Sequence, residues 1–128
     1  MVAFEAFRAV DGAPVYLQII NFIKRGAIAG TIRDGDELPS RRVLSALLGI
    51  NPNTVQKAFH ILEEEHLMES RTGAKSCMTL PPDTLDALRR EVLSDELRAM
   101  ARTLRQLGIS KEEALRLIEQ PKMLGLQV

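Results

Sequence analysis

The chain has 128 residues, of which 17 are Lys or Arg and 17 are Asp or Glu, so its formal net charge is zero; 45% of its residues are hydrophobic. A chain of that length builds one or two small units around a modest core and is too short for a deep catalytic cleft. Balanced charge excludes the strongly basic composition that marks many nucleic-acid binders, so any such partner must be met by local patterning.

Residues 1–12 have no clear period and read as a loose N-terminal arm with a short extended piece around Phe4 to Phe7. Val15 to Ala29 reads as the first helix, because Tyr16, Ile19, Ile20, Ile23, Ala27 and Ile28 recur at helical spacing and Gly30 supplies a left-handed stop. The Asp34-Gly35-Asp36 turn leads to a second helix that opens on Ser40 as N-cap, with Val43, Leu44, Leu47 and Leu48 as its apolar face and Gly49 as its end. Asn51-Pro52 restarts the chain as N-cap and first-turn proline of a third helix. On that helix Val55, Ala58, Phe59 and Leu62 face the core, while Asn53, Thr54, Gln56, Lys57 and His60 project from the other side. Two short helices joined by a tight turn, the second with a polar and nearly uncharged outer face, form the pattern of a helix-turn-helix DNA reader. From Pro39 to Leu62 the chain carries Arg41, Arg42 and Lys57 and no acidic residue.

Met68 to Arg71 and Lys75 to Leu80, joined across Thr72-Gly73-Ala74, read as a β-hairpin. Cys77, the single cysteine, has no partner for an internal disulfide and is read as a small strand residue. Pro81-Pro82 marks a boundary, after which Asp83 to about Leu107 reads as one long helix. Its Leu93, Leu97, Met100, Leu104 and Leu107 step by four and three as a heptad-like seam. Gly108 caps this helix, Ser110 with Glu113 opens a short helix through about Glu119, and Pro121 stops it. Two helices of this size cannot bury their stripes alone. They either fold back on the preceding domain or dimerise through the seam, and their place after a linker favours dimerisation.

Several of these elements, quoted together, resemble the GntR family of bacterial transcription regulators, and within it the short YtrA-like branch. They are Pro14-Val-Tyr16-Leu-Gln18-Ile19, Gly30-Thr-Ile-Arg-Asp-Gly35-Asp36-Glu-Leu38-Pro39-Ser40, Arg42, Asn51-Pro52-Asn53-Thr54-Val55 and Lys57-Ala58-Phe59, followed by the Leu62 to Glu69 stretch. The resemblance covers about half the chain. It implies a mainly α fold with a small β-hairpin: an arm over 1–12, a winged helix-turn-helix domain over 13–80 and a helical dimerisation tail over 81–128. It also implies a repressor of its own operon and of neighbouring transporter genes, and the dimer expected from the seam predicts a pseudo-palindromic operator.

Position by position, Arg42 falls on an arginine such regulators use against DNA, and Asn51, Asn53, Thr54, Gln56 and Lys57 fall on recognition-helix contact positions. Thr72 and Gly73 fall at the wing tip. With Arg41 and Lys75 added by charge, these are the expected DNA contacts. Three departures stand out. Val43 replaces the usual Glu that completes a capping box with Ser40. His66 replaces a glycine where positive φ is needed. The wing reads Gly73-Ala-Lys75 rather than Gly-x-Gly, with Lys75 expected to compensate through a phosphate contact.

Double-stranded DNA and a second copy of the chain are thus the expected partners, and no membrane. A small-molecule effector in an apolar pocket near Met100 and Met123 competes with simple core packing for those residues. The tail is too short for an effector domain or a pyridoxal-binding domain, and the reading expects no cofactor and no metal. No N-terminal leader pattern is visible, so the expected location is cytoplasmic. No nucleophile–base pair, phosphate loop or metal-ligand spacing points to an enzyme. The alternative class is a winged-helix protein-interaction adaptor, against which the acid-free stretch from Pro39 to Leu62 counts.

Overall fold

Apolar residues at helical spacing, punctuated by left-handed glycines and polar caps, dictate five helices among the described residues and leave room there for three short strands. The computed structural model describes residues 1–71, 75–120 and 125. Helix α1 spans Val15–Ala29, strand β1 Glu37–Leu38, helix α2 Arg41–Leu48, helix α3 Pro52–Glu64, strands β2 and β3 Met68–Arg71 and Lys75–Met78, helix α4 Pro82–Gln106 and helix α5 Lys111–Ile118. The chain divides into two units, Met1–Arg89 and Arg90–Val128, so α4 contributes its first turns to one and the remainder to the other.

In the first unit α1 packs on α3 and α3 on α2, and Ile19, Ile23, Leu44, Val55, Leu62 and Met78 are the largest fully buried side chains. Each contributes about 1.5–3 kcal/mol of burial free energy if it is as apolar and well packed as a typical core residue. The sheet has the order β1-β3-β2 and is antiparallel throughout, with Glu37 opposite Cys77, Met68 opposite Met78 and Arg71 opposite Lys75. Two aspartates of the preceding turn hold this edge together. Leu80 N donates to Asp34 Oδ1 at 2.7 Å and Arg33 N to Asp36 Oδ2 at 2.8 Å. The helix-turn-helix and hairpin expected from the sequence are therefore present, and β1 is an addition to them. Strand β3 stops at Met78, two residues short of the expected Leu80, because beyond it Thr79 N donates to Leu67 O and Leu80 N to Asp34 instead of to a ladder.

Two expectations need correction. The N-terminal arm is not loose: Val2, Phe4 and Phe7 are buried, Phe4 and Phe7 pack against Phe22 of α1, and Val2 N donates to Glu37 O at 2.7 Å. Nor is Phe4 to Phe7 extended, since Phe7 N donates to Phe4 O across a tight turn. Gln18 fixes the arm's exit with side-chain bonds to Val10 and to Ala13 O. The apolar face of α2 is also narrower than the sequence suggests. Leu44 is buried and Leu48 half-buried, Ser45 takes the third inward position, and Val43 and Leu47 are 54% and 65% exposed. Two turns of helix lying against one neighbouring layer bury an arc around 44, 45 and 48 and leave the 43–47 edge outside.

In the second unit, Gly108 takes φ 72°, and Ser110 Oγ accepts from Glu113 N at 3.2 Å to start α5. Ala114 of α5 is buried, and an open apolar groove of about 310 Å³ runs between α4 and α5, lined by Leu97, Met100, Leu104, Ile109, Leu115 and Ile118 among others. Pro121 and Met123 lie outside the described residues. Among the described residues, no helix is long and apolar enough to cross a membrane, and no group of three His, Cys, Asp or Glu is placed to hold a metal ion. Cys77 is buried on β3.

Candidate nucleic-acid interface

The candidate surface is built from two helix starts and the turn between them. Ser40 caps α2 by accepting from Val43 N at 3.1 Å. With Val in place of Glu at that third position, no side chain is there to return the second bond of a capping box. Gly49 takes φ 67° and accepts the left-handed turn that ends α2, and Ile50 N donates to Ser45 O. Asn51 then caps α3, its Oδ1 accepting from Asn53 N at 2.8 Å, and Pro52 occupies the first helical position. These local bonds fix the angle at which α3 leaves the turn.

Of the residues expected to meet DNA, Arg41, Arg42, Asn51, Asn53, Gln56 and Lys57 are exposed and Thr54 is half-buried. All seven lie on α2, α3 or the cap between them. No acidic residue stands in the first turn of α2 or of α3. The positive end of each helix dipole is thereby left to attract an outside anion. The three glutamates at the far end of α3 are each engaged. Glu63 Oε1 accepts from Ser70 Oγ at 3.2 Å, Glu64 Oε1 lies 2.8 Å from His60 Nε2, and Glu65 Oε1 accepts from Lys24 Nζ at 2.8 Å.

Lys57 has a partner that sequence reasoning missed. Its ammonium sits 4.0 Å from the centre of the Tyr16 ring, which α1 brings alongside α3. The signal was Tyr16 itself, an aromatic at the edge of the first helix's apolar stripe and only half-buried.

Of the expected wing contacts, Thr72 and Gly73 lie outside the described residues. Lys75 is exposed, but its ammonium is 3.9 Å from Glu37 Oε2 on β1, a long, solvated pair worth roughly 0–1 kcal/mol. The lysine expected to meet a phosphate thus lies near a carboxylate on a strand the sequence did not announce. Arg71 similarly lies 3.6 Å from Glu69 on the same strand.

The tail residues expected to form a dimer seam fall on one side of α4 by spacing. Leu93, Leu97, Met100 and Leu107 are between 46% and 67% exposed, and Leu104 is half-buried. Leu107 lies one residue past the helix end, although its N–H still donates to Thr103 O.

Comparison with known proteins agrees with this geometry. Residues 15–75 match the model of "Bacterial regulatory proteins, gntR family". The chain is 41% identical over 63 residues to the HTH-type transcriptional repressor YtrA of Bacillus subtilis, covering 49% of this chain and 48% of YtrA. It is 30% identical over 105 residues to the HTH-type transcriptional regulator Rv1152 of Mycobacterium tuberculosis, covering 82% and 83% of the two chains. Among solved structures, a GntR family transcriptional regulator from Listeria monocytogenes superposes with a TM-score of 0.78 at 28% identity, over 88% of this chain and 98% of that one. The matched segment contains both helices of the reading motif, the turn between them and the first strand of the wing, and the chain belongs to the gntR family of bacterial regulatory proteins, DNA-binding regulators of transcription.

Proposed function

We propose that this chain is a homodimeric repressor that binds a pseudo-palindromic operator, with α3 of each protomer in the major groove of one half-site. The observation that carries the reading is the acid-free surface formed by the starts of α2 and α3, where Arg41, Arg42 and Gln56 line one cleft and Asn53 is exposed on the same helix as Gln56. Amide side chains pair with the adenine edge, and arginines with guanine or phosphate. Asn51 holds the helix start, and Lys57, steadied over Tyr16, is a phosphate contact. Thr72, Gly73 and Lys75 are the proposed contacts from the hairpin side.

Dimerisation rests on the seam of Leu93, Leu97, Met100, Leu104 and Leu107. Four of these are largely exposed in a single chain, and a second copy removes them from water. A two-fold protein then reads half-sites about one helical turn apart, roughly 10 bp. Repression is carried over from YtrA, which is named a repressor, and its own operon is the proposed target. The groove between α4 and α5 is the place where a small apolar effector would bind, and the working compartment is the cytoplasm.

The test is fluorescence anisotropy of the purified chain against duplex from its own upstream region, with a scrambled duplex as control and a salt titration of both. Selective binding at two chains per site is expected, and Arg42→Ala should lower the slope of log K against log salt by about one. Equal, weak binding to both duplexes would overturn the proposal and favour a protein-adaptor role.

A further inference from the structure

The α2 edge that the core does not use opens on a cleft of about 530 Å³ between the starts of α2 and α3. It is lined by Ser40, Arg41, Arg42, Val43, Pro52 and Gln56. The lining combines apolar groups, a valine that is 54% exposed and a proline ring, with two arginines, one amide and the Ser40 hydroxyl, whose oxygen accepts from Val43 N, and it has no carboxylate. A valine so exposed does nothing for the core, and Leu44 beside it already supplies the helix's buried anchor.

Resting on the DNA-binding reading above, we infer that this cleft is a thymine-methyl subsite in which Val43 is a specificity-determining residue. Val43 and Pro52 cannot hydrogen-bond to a base edge. In the major groove the one apolar group that base pairs present is the C5 methyl of thymine. Cationic flanks favour a polyanionic partner over an apolar peptide and hold its phosphates on either side of the cleft. Gln56, on the same lining, supplies the amide that pairs with N6 and N7 of adenine, so the subsite reads a thymine together with an adenine of the same or the adjoining pair. The two residues that set the preference are ones at which this chain carries neither a charge nor a hydrogen-bonding side chain.

The test uses the full chain and the tightest duplex recovered by in vitro selection from a random library. Each thymine of a half-site is replaced in turn by deoxyuridine, which keeps every hydrogen-bonding group and removes only the methyl. One position per half-site should weaken binding by about fourfold, the value of one buried methyl group. The loss should disappear in Val43→Ser, which leaves a hydroxyl and no methyl at this position, and should shrink in Val43→Ala. Both substitutions fall on an exposed position, and unchanged thermal unfolding would confirm intact folding. A deoxyuridine scan that is flat in the wild-type chain would overturn the inference while leaving DNA binding standing. A sensitive position that persists in Val43→Ser but vanishes in Thr54→Ser would overturn it equally, since the thymine methyl would then be read by Thr54. If selection enriches no sequence at all, the DNA-binding reading fails and the subsite with it.

Discussion

Replacing His66 by glycine should stabilise the winged unit, against the usual direction of point substitutions. His66 is the one non-glycine residue among those described with positive φ, at 61°, and it ends the connection from α3 to β2. Its N–H donates to Glu63 O and its side chain is exposed, so the substitution removes no core contact. A left-handed conformation costs an ordinary L residue roughly 1–2 kcal/mol. Glycine pays no such cost but gives back about 0.5–1 kcal/mol through its freer unfolded chain. The net expectation is a gain of about 0.5–1 kcal/mol. With a urea m-value of about 2 kcal/mol/M, the midpoint should rise by roughly 0.3–0.5 M at unchanged m. DNA affinity should not move, because the thirteen residues of α3 put His66 about 20 Å from the Asn51 end. His66→Ala, which keeps a Cβ, should show no comparable gain. A midpoint that stays or falls in His66→Gly, or one that rises equally in His66→Ala, would refute the argument from backbone conformation.

Two leucines of α2 should part company: Leu44→Ala is expected to cost about 2–5 kcal/mol by urea unfolding and Leu47→Ala to stay within about 0.5 kcal/mol. Equal costs would contradict the burial assigned to this helix. Asn51→Ala removes the α3 cap and should cost about 1 kcal/mol of stability, with Asn51→Ser recovering most of it; failure of serine to rescue would mean that the cap bond to Asn53 N is not the source. Tyr16→Leu removes the ring under Lys57, an interaction of about 0.5–1 kcal/mol. A double-mutant cycle with Lys57→Met should report that coupling in stability, and Tyr16→Phe should retain it; a zero coupling energy would show that the contact carries nothing.

What the sequence announced and what it hid divide by distance along the chain. All five helices were legible because their signals are local: apolar residues three and four apart, Ser40, Asn51 and Ser110 as caps, Gly30, Gly49 and Gly108 as stops. Strand β1 has two residues and no period to detect, and it exists through pairing with Cys77 and Ser76, nearly forty positions away. The burial of the arm depends on Phe22 of α1, again a non-local contact. The polar outer face of α3 was legible as the complement of its core stripe, because a helix with one buried side leaves the other to solvent. The partners of its charges were not, since Tyr16 meets Lys57 and Glu37 meets Lys75 only after the chain has folded. The outward turn of Val43 and Leu47 was hidden for a related reason: a two-turn helix with four apolar residues does not reveal which of them its neighbours cover.

A chain of zero net charge still presents a cationic end, because of where it withholds its acids. Acidic residues in a first turn stabilise a helix by roughly 0.3–1 kcal/mol each, and the tail uses them, with Asp83 in α4 and Glu112 and Glu113 in α5. Helices α1, α2 and α3 have none in their first turns. The acids of α3 stand instead at its C-terminal end, where the dipole disfavours them and contacts with Lys24, His60 and Ser70 compensate. Stability alone would place them the other way round, whereas an incoming phosphate requires this arrangement. The two demands can be separated at one position. Asn53 is exposed at the second residue of α3, and Asn53→Asp supplies the missing first-turn acid without changing shape. It should raise stability by a few tenths of a kcal/mol while weakening DNA binding at least tenfold at low salt, the loss shrinking as salt screens the repulsion. An aspartate that stabilised the protein and left affinity intact would mean that the start of α3 does not face the phosphate backbone or the groove.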